Sequence, residues 1–374
     1  MAIKVLTWAA RILFGVVFIF AGFTKAIDPL GSAYKFEDYF LAFNMEGFFS
    51  LALPMAILLN TVEMLVGFAI LLGLKMKLSA WAGLLFMAFF TPLTLYIAIT
   101  DPVPDCGCFG DAIIISNWDT FYKNVVFLAA AIWIFIQRKN VPPLWSEKKD
   151  WYIVGGITAL ILWLSVYCLL NLPIIDFRSW KIGNDMTEQI QPIQEEIIEY
   201  TFIYENTKTN ERKEFDVNNL PTDENWTYVD RKENVIQEYI ASPIENFSIL
   251  DEYEFDYTED FIGNPDYQFL AVAYELDYTK KNAFKNKLNE IAAGAEKDGY
   301  SFIILTGSSY ERIRQFQEEM NAFYDFYQSD ERELKTIIRS NPGLVLLKDG
   351  VVINKWHFRN IPDYDSIREK YLNK

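Results

Sequence analysis

The fold is decided by residues 51–100, which read LALPMAILLNTVEMLVGFAILLGLKMKLSAWAGLLFMAFFTPLTLYIAIT. This stretch holds two apolar segments, Leu51–Leu74 and Leu78–Thr100, and only Lys75-Met76-Lys77 separates them. A helix needs about 20 mostly apolar residues to cross the hydrocarbon layer of a membrane, and both segments meet that requirement. We therefore predict two antiparallel, neighbouring membrane helices.

Three further apolar segments are candidates for membrane helices: Val5–Ile27, Phe121–Ile136 and Trp151–Asn171. The first resembles a signal peptide, but Arg11 interrupts it and no small-residue cleavage pattern ends it, so we predict that it is retained. Phe121–Ile136 is short, and its first turn, with Lys123, is expected at the membrane interface. The sequence thus predicts five helices that cross a lipid bilayer.

Charge divides the chain into two parts. Residues 1–150 contain 11 Lys and Arg against 11 Asp and Glu, whereas residues 151–374 contain 23 against 39 and carry the whole net charge of −16. This division indicates two domains in different environments. The acidic part repels nucleic acid and anionic lipid, which excludes both as its partners, while an exported or membrane protein remains open as a partner.

The distribution of Lys and Arg among the short loops predicts the orientation in the membrane, because cytoplasmic loops are rich in these residues. With a cytoplasmic N-terminus, the cations on that side are Lys4, Arg11, Lys75, Lys77, Arg138, Lys139, Lys148 and Lys149. Five spans then bring everything after Asn171 to the opposite side. We predict a multi-pass protein of a bacterial cytoplasmic (inner) membrane with a periplasmic C-terminal domain.

Two polar residues, Glu63 and Asn60, lie within the second predicted span. Charge is costly in hydrocarbon, so a carboxylate there is either paired or functional. In one interpretation Glu63 is neutral, or paired with Arg11 or Lys25, and only fixes the helices together. In the other, Glu63 and Asn60 form a proton or quinone site, and a membrane quinone is the one cofactor that the sequence suggests.

The chain has three cysteines, Cys106, Cys108 and Cys168. In the predicted orientation all three lie near the periplasmic surface, in a compartment where disulfides form. A Cys-x-Cys disulfide closes a very small ring and is readily reduced, which suits thiol–disulfide exchange. Cys106 and Cys108 are therefore a candidate redox pair, with Cys168 as a candidate resolving partner. A permanent structural bridge and idle thiols remain alternatives.

Residues beside the cysteines also bear on their chemistry. The carboxylates of Asp105 and Asp111 are expected to raise the thiol pKa values, because like charge disfavours a thiolate. Two thiols without a nearby histidine do not provide a zinc site, so no metal is predicted.

The sequence after Pro173 is polar and predicts extramembrane structure. Tyr200–Tyr204 and Trp226–Val229 alternate in polarity and indicate a small β-rich segment. Further along, strands and helices are predicted to alternate, at Phe269–Leu276 (strand), Asp277 or Thr279 to Lys297 (helix), Phe302–Leu305 (strand), Tyr310–Met320 and Glu331–Ile338 (helices), and Leu344–Lys348 with Val351–Lys355 (hairpin). Such alternation is typical of an α/β domain.

Residues 1–140 carry motifs of a known superfamily. These motifs are Arg11-Ile-Leu-Phe-Gly15, Ala21-Gly22-Phe23-Thr24-Lys25, Glu63-x-x-x-Gly67, Thr91-Pro92-x-Thr94 and Cys106-Gly107-Cys108-Phe109-Gly110. With them the region resembles the DoxX-like superfamily, and its MauE branch in particular. The resemblance implies a four-helix membrane bundle. It also implies sulfur or disulfide chemistry outside the cytoplasm, since MauE-like proteins are associated with maturing disulfide-rich enzymes and DoxX-like ones with quinone-coupled thiosulfate oxidation. Other relatives resemble assembly factors, so the fold alone does not determine a reaction.

Residues 245–374 resemble the thioredoxin fold, in particular its exported TlpA-like members. Asn341-Pro342 occupies the position of that family's cis-proline. Where the family has Cys-x-x-Cys, this chain has Asp277-Tyr278-Thr279-Lys280, and no cysteine follows Cys168. The domain is therefore predicted to be redox-inert, and the resemblance makes Tyr278, Thr279, Asn341 and Pro342 candidates for holding an extended partner chain.

These features predict an α-helical membrane bundle followed by an α/β, thioredoxin-like extracytoplasmic domain. The predicted parts are a four-helix transmembrane domain (1–140), a fifth transmembrane helix (151–171), a small β-rich segment (175–244) and the thioredoxin-like domain (245–374). One functional hypothesis is support of extracytoplasmic thiol–disulfide chemistry or maturation of exported proteins. The other is a non-enzymatic membrane assembly or scaffolding factor whose thioredoxin-like domain binds a partner protein.

Overall fold

The computed structural model describes residues 1–143, 145–244 and 246–372, so the domain boundary predicted at residue 245 lies outside the described residues. The chain divides into two compact units. The first comprises Met1–Arg178 with Ile338–Gly343 and Trp356–Pro362, and the second comprises Ser179–Ile337, Leu344–Lys355 and Asp363–Lys374.

Helices build the first unit. They are α1 (Ala2–Ala26), α2 (Pro29–Ala42), α3 (Ala52–Leu72), α4 (Met76–Thr100), α5 (Asn117–Gln137) and α6 (Glu147–Leu170), with a 3-10 turn at Glu46–Leu51 before α3. Helices α1, α3, α4, α5 and α6 are long and apolar enough to cross a membrane. Their bounds lie within a few residues of the five predicted spans, which confirms the prediction of a multi-pass helical region.

Helix α2 is absent from the sequence predictions, because its polar and aromatic residues give no long apolar run. The Asp28 side chain caps its start by accepting a hydrogen bond from the Gly31 backbone N–H at 2.9 Å, and Pro29 occupies the first helical position. Both features are favourable at a helix N-terminus. This helix contributes Lys35 and Tyr39 to the site described below.

Helices α1 and α3 pack backbone against backbone through glycine. A Cβ atom on Gly67 would lie 2.8 Å from the backbone nitrogen of Ile19 and 2.9 Å from the carbonyl oxygen of Gly15, so a larger residue does not fit without moving a helix. Small residues allow such close approach between membrane helices. Buried apolar side chains surround this contact: Phe14, Phe18, Ile70, Met87, Phe127 and Ile134.

The second unit contains two sheets. The strands of these sheets are β1 (Ile197–Asn206), β2 (Arg212–Asp216), β3 (Trp226–Gln237), β4 (Tyr267–Val272), β5 (Ser301–Thr306), β6 (Asp325–Gln328), β7 (Gly343–Lys348) and β8 (Val351–His357). Gly343 at the start of β7 and Trp356 and His357 at the end of β8 belong to the first unit. The first three form an antiparallel sheet in the order β2-β1-β3. The other five form a sheet in the order β6-β5-β4-β7-β8, in which β4, β5 and β6 are parallel.

Helices accompany the five-stranded sheet. They are α7 (Met186–Gln189), α8 (Thr258–Ile262), α9 (Lys281–Ala283), α10 (Asn289–Asp298), α11 (Tyr310–Met320), α12 (Glu331–Ile337) and α13 (Tyr364–Ile367), and a π-helical turn joins α9 to α10. The α/β character of this region is confirmed. The predicted bounds need two corrections: β4 ends at Val272 instead of Leu276, and the next helix begins at Lys281. Strand β6 is absent from the sequence predictions, since its four residues are too few to show a pattern. The Asn341–Pro342 peptide bond is cis.

Candidate functional site

A cavity of about 660 Å³ lies within the first unit. Side chains of α1 to α5 and of the loop between α4 and α5 line it. Its wall is largely aromatic, with nine phenylalanines, Phe18, Phe36, Phe40, Phe43, Phe86, Phe89, Phe90, Phe109 and Phe127. A few polar groups interrupt this apolar wall, and they include four of the residues that the sequence predicted as functional: Asn60, Glu63, Cys106 and Cys108.

Cys106 and Cys108 border this cavity together. Both are half-buried, and their Sγ atoms lie 3.0 Å apart. The intervening Gly107 has φ +67°, a conformation that favours glycine and turns the chain so that the two sulfurs face each other. The hydroxyl of Tyr39 donates a hydrogen bond to the Cys106 carbonyl oxygen at 3.1 Å and ties the loop to α2. The two thiols are therefore held in reach of one another at the cavity wall.

Glu63 and Asn60 line the same cavity from α3. Glu63 forms an ion pair with Lys25 of α1, which is one of the pairings predicted from the sequence. Arg11, the other candidate, instead donates hydrogen bonds to the carbonyl oxygens of Ile70 and Leu71 at 2.9 and 3.0 Å. The structure thus brings the predicted redox pair and the predicted intramembrane polar site to one cavity.

Asn60 is 1% exposed and has an asymmetric set of contacts. Its Nδ2 donates to the carbonyl oxygen of Lys25 and to the hydroxyl of Ser32, both at 3.1 Å. Its Oδ1 has no hydrogen-bond partner among the residues that the structure describes. A buried acceptor without a donor is costly, so this oxygen is a place where a ligand hydroxyl would be favoured.

The carboxylates beside the cysteines are neutralised by cations. Asp105 forms an ion pair with Lys35 at 2.6 Å, and Asp111 forms one with Arg339 at 3.0 Å. Arg339, which is buried, also binds Asp28 at 2.9 Å. The charge that would repel a thiolate is thus largely balanced.

The two thiols titrate in opposite directions. A hydrogen bond with Cys108, together with burial, raises the pKa of Cys106 well above its usual value. The same hydrogen bond, with help from the nearby Lys123 and Lys25, lowers the pKa of Cys108 to about 6. The expectation that Asp105 and Asp111 raise both thiol pKa values is therefore wrong for Cys108, because the hydrogen bond with Cys106 and the two lysines outweigh burial and the charge of Glu63.

Several residues of the site were missed by the sequence analysis. Lys35 and Tyr39 lie on the unpredicted helix α2, and Arg339 is more than two hundred residues away from Asp111 in the chain, so no linear pattern joins them. Lys123 gave a usable signal, because a cation inside an apolar segment is itself informative. We expected it only at the membrane interface, yet it also lines the cavity and lies over the Phe109 ring, with Nζ 4.4 Å from the ring centroid.

The remaining predicted residues lie elsewhere. Cys168, near the end of α6, is buried and is not among the described residues that line the cavity. In the second unit, Tyr278 is exposed and Thr279 is buried. Asn341 and Pro342 belong to the first unit, where Pro342 is buried. Binding of a partner chain by these four residues stays a prediction.

Fold and site together define a multi-pass helical membrane protein in which two thiols border an apolar cavity. Residues 3–137, which contain every residue lining that cavity, match the family described as methylamine utilisation protein MauE. This match confirms the MauE resemblance for the helical region. Residues 198–238, which include β2, β3 and all of β1 except Ile197, match a family described as a domain of unknown function. Comparisons of the chain with curated proteins and with solved structures found no match.

Proposed function

We propose that this protein carries out thiol–disulfide exchange at a membrane surface and so supports the maturation of exported proteins, with Cys106 and Cys108 as its redox pair. The observation that carries the proposal is the pair itself: two thiols 3.0 Å apart at the wall of an apolar cavity. A thiol of lowered pKa beside a second thiol is the arrangement that exchange requires. We place the pair on the periplasmic side, following the distribution of Lys and Arg.

The reaction begins from a Cys106–Cys108 disulfide and a client protein with two thiols. A client thiolate attacks one sulfur of the pair, the Cys106–Cys108 bond breaks, and its electrons pass to the other sulfur. The second client thiol loses its proton and attacks the client sulfur of this mixed disulfide. The client leaves with a new disulfide, and the pair remains in its reduced form, with two more electrons.

Renewal of the disulfide needs a two-electron acceptor, and we propose a membrane quinone bound in the cavity. Cavities of about 300–1,000 Å³ with apolar, aromatic walls and a few polar groups are typical ligand sites. A bound quinone would supply the capacity to take two electrons and two protons from the dithiol. Asn60 Oδ1, buried without a described donor, would accept a hydrogen bond from its reduced hydroxyl form.

The cavity wall also supports access from the lipid phase. Leu58 of α3 and Phe89 of α4 line the cavity and are 65% and 63% exposed. Both lie in helices of membrane-spanning length, where an exposed apolar side chain is expected to contact lipid. A lipid-soluble ligand could therefore reach the thiols without crossing water.

In this proposal the second unit recruits the client. We propose that it is a thioredoxin-like domain, which is supported by the parallel strands β4, β5 and β6 in one five-stranded sheet. It contains no cysteine, so it cannot exchange disulfides itself. The resemblance of the helical region to quinone-linked DoxX-like proteins is likewise part of the proposal.

Thiol trapping in intact cells tests the redox role. The Cys168→Ser variant keeps Cys106 and Cys108 as its only cysteines, so acid quenching and mass-tag alkylation report the pair alone. We expect the pair to move between oxidised and reduced forms when the quinone pool is reduced or when exported dithiol proteins accumulate. Cys106→Ser and Cys108→Ser should each abolish that movement. A pair that stays in one redox state under all these conditions would contradict the proposal.

The alternative is a non-enzymatic assembly or scaffolding factor. The observation in its favour is the lack of cysteine after Cys168, which leaves the acidic C-terminal part with binding as its only role. This alternative predicts that replacing both Cys106 and Cys108 by serine leaves the protein functional in cells. Deletion of residues 245–374 would then abolish function, whereas the redox proposal predicts that both changes are damaging.

A further inference from the structure

Three lysines surround the loop that carries the redox pair. Lys35 of α2 packs against Gly107, and its Cγ would lie 3.1 Å from a Cβ placed there. Lys25 of α1 lies against Gly110, with a corresponding distance of 3.7 Å. Lys123 of α5 places its Nζ 4.4 Å from the centroid of the Phe109 ring. All three lysines line the cavity.

Two of these lysines, Lys25 and Lys35, form ion pairs with carboxylates, whereas Lys123 forms none with the residues that the structure describes. Lys35 is paired with Asp105 at 2.6 Å, and Lys25 is paired with Glu63. Lys123 is half-buried and lies against the Phe109 ring, and it forms no ion pair with an Asp or Glu in the part of the chain that the structure describes. A cation without a counter-ion at an apolar wall is costly, so an anion is expected beside Lys123.

Cys108 is the group best placed to be that anion. It precedes Phe109, the residue on which the Lys123 ammonium lies. The nearby carboxylates already have partners: Glu63, which lines the cavity, pairs with Lys25, and Asp105, which precedes Cys106 in the loop, pairs with Lys35. Burial raises the pKa of the Tyr39 phenol, so this group stays neutral. Helix α4 contributes only apolar side chains to the wall.

We infer that Lys123 is a positioning residue that holds Cys108 as the thiolate and thereby fixes the polarity of the redox pair. The inference rests on the proposed thiol–disulfide exchange and adds the direction in which the disulfide opens. Cys106 is the sulfur that the client attacks, and Cys108 is the sulfur that leaves. A thiolate that is stabilised when it leaves makes its departure faster.

The steps balance for this polarity. The client thiolate forms a bond to Cys106 Sγ while the Cys106–Cys108 bond breaks, and the electron pair passes to Cys108 Sγ beside Lys123. The second client thiol releases its proton to water and attacks the client sulfur of the mixed disulfide. Cys106 then leaves as a thiolate and takes up a proton, because the thiolate of Cys108 beside it disfavours a second charge.

A pH profile of alkylation tests the role of Lys123. The reduced Cys168→Ser protein is treated with iodoacetamide from pH 5 to 9, and mass spectrometry measures modification of Cys106 and Cys108 separately. We expect Cys108 to react first, with a midpoint near pH 6. Lys123→Gln should raise this midpoint by about one pH unit or more, the usual effect of removing an opposite charge, and Lys123→Arg should restore it. At pH 6 the Gln variant should react about fivefold more slowly.

Capture of a mixed disulfide tests the polarity itself. Purified Cys108→Ser and Cys106→Ser proteins, each in the Cys168→Ser background, are incubated with oxidised glutathione as the probe. Reduced glutathione is then added, and its thiolate attacks the glutathione sulfur of each mixed disulfide. We expect the Cys106 adduct to persist and the Cys108 adduct to be released more readily, because Cys108 is the better leaving group. Equal persistence of the two adducts would contradict the assigned polarity.

The outcomes separate this inference from the proposed function. If the Gln variant folds, as its thermal unfolding would show, and its Cys108 midpoint is unchanged while the pair still cycles in cells, then Lys123 does not hold the thiolate and only the inference is overturned. A shifted midpoint in a protein whose pair never cycles supports the electrostatic role of Lys123 and overturns the proposed function.

Discussion

The ion pair between Lys25 and Glu63 allows a quantitative test of what holds the helix bundle together. The two side chains are 11% and 8% exposed and join α1 to α3. Removing one partner of a buried ion pair typically costs about 3–5 kcal/mol, because the remaining charge stays buried without compensation. We expect Glu63→Gln, which keeps the shape of the side chain and removes its charge, to lower the free energy of unfolding by an amount in this range.

The double variant Lys25→Met with Glu63→Gln provides the comparison. It removes both charges, and replacement of a whole buried pair is often neutral or stabilising. We therefore expect the double variant to have nearly the same free energy of unfolding as the unmodified protein. Its equilibrium constant for folding should then exceed that of the single variant by about a hundredfold or more, since about 1.4 kcal/mol corresponds to a factor of ten. Unfolding of the detergent-solubilised protein by increasing fractions of sodium dodecyl sulfate measures both changes. Equal stability of the single and double variants would refute the reasoning.

The same double variant distinguishes the two interpretations of Glu63. If the pair only fixes α1 to α3, the double variant should remain stable, and its Cys106–Cys108 pair should still cycle in cells. If Glu63 takes part in a proton or quinone site, the variant should remain stable while the pair stays reduced. Stability and thiol trapping on one protein thus separate a structural role from a chemical one.

Two further predictions concern packing and pH. Gly67→Ala should destabilise the bundle by about 1–3 kcal/mol, because the added Cβ would lie 2.8 Å from the backbone of α1. Gly155→Ala on α6 is the control and should not destabilise the protein, because nothing lies within 4 Å of a Cβ placed there. Unfolding of both variants in detergent tests this contrast. Burial and the nearby Arg359 lower the pKa of His357 to about 4, so between pH 6.5 and 4 the unfolded chain binds the extra proton and the free energy of unfolding falls as pH falls. The loss should reach about 2–3 kcal/mol near pH 4 and be absent in His357→Gln, and an equal loss in that variant would contradict this assignment.

Membrane helices were predictable because their signal is local. Both spans in residues 51–100 can be recognised by their length and hydropathy, and Lys75-Met76-Lys77 marks the turn between them. Helix α2, between α1 and α3, was not predictable, because its polar and charged residues interrupt any apolar run and only Pro29, Ala33 and Phe40 are buried. The same limit applies to β6, a strand of four residues whose pairing with β5 is set by the sheet.

Within the site, residue types were predictable but their partners were not. Cys106, Cys108, Asn60 and Glu63 stood out because thiols, amides and carboxylates are unusual in or beside membrane spans. Their meeting at one cavity depends on how α1 to α5 pack, which no linear spacing encodes. The direction of the pKa shift of Cys108 was mispredicted for the same reason. Asp105 is visible in the sequence as a neighbour of Cys106, while the lysine that neutralises it lies seventy positions earlier.

In the proposed mechanism the two sulfurs of the Cys106-Gly107-Cys108 motif differ in reactivity: the client attacks Cys106, and Cys108 leaves as the thiolate. In the proposed mechanism the difference does not come from the motif, since Cys106-Gly107-Cys108 is symmetric in its reactive groups. It comes from the helices around the motif: the Tyr39 hydroxyl of α2 donates a hydrogen bond to the Cys106 carbonyl oxygen, and Lys123 of α5 lies over Phe109, the residue after Cys108. Moving the motif to the second unit would lose that asymmetry together with the apolar cavity. In this proposal the redox chemistry takes place in the bundle, and the thiol-free unit binds the client.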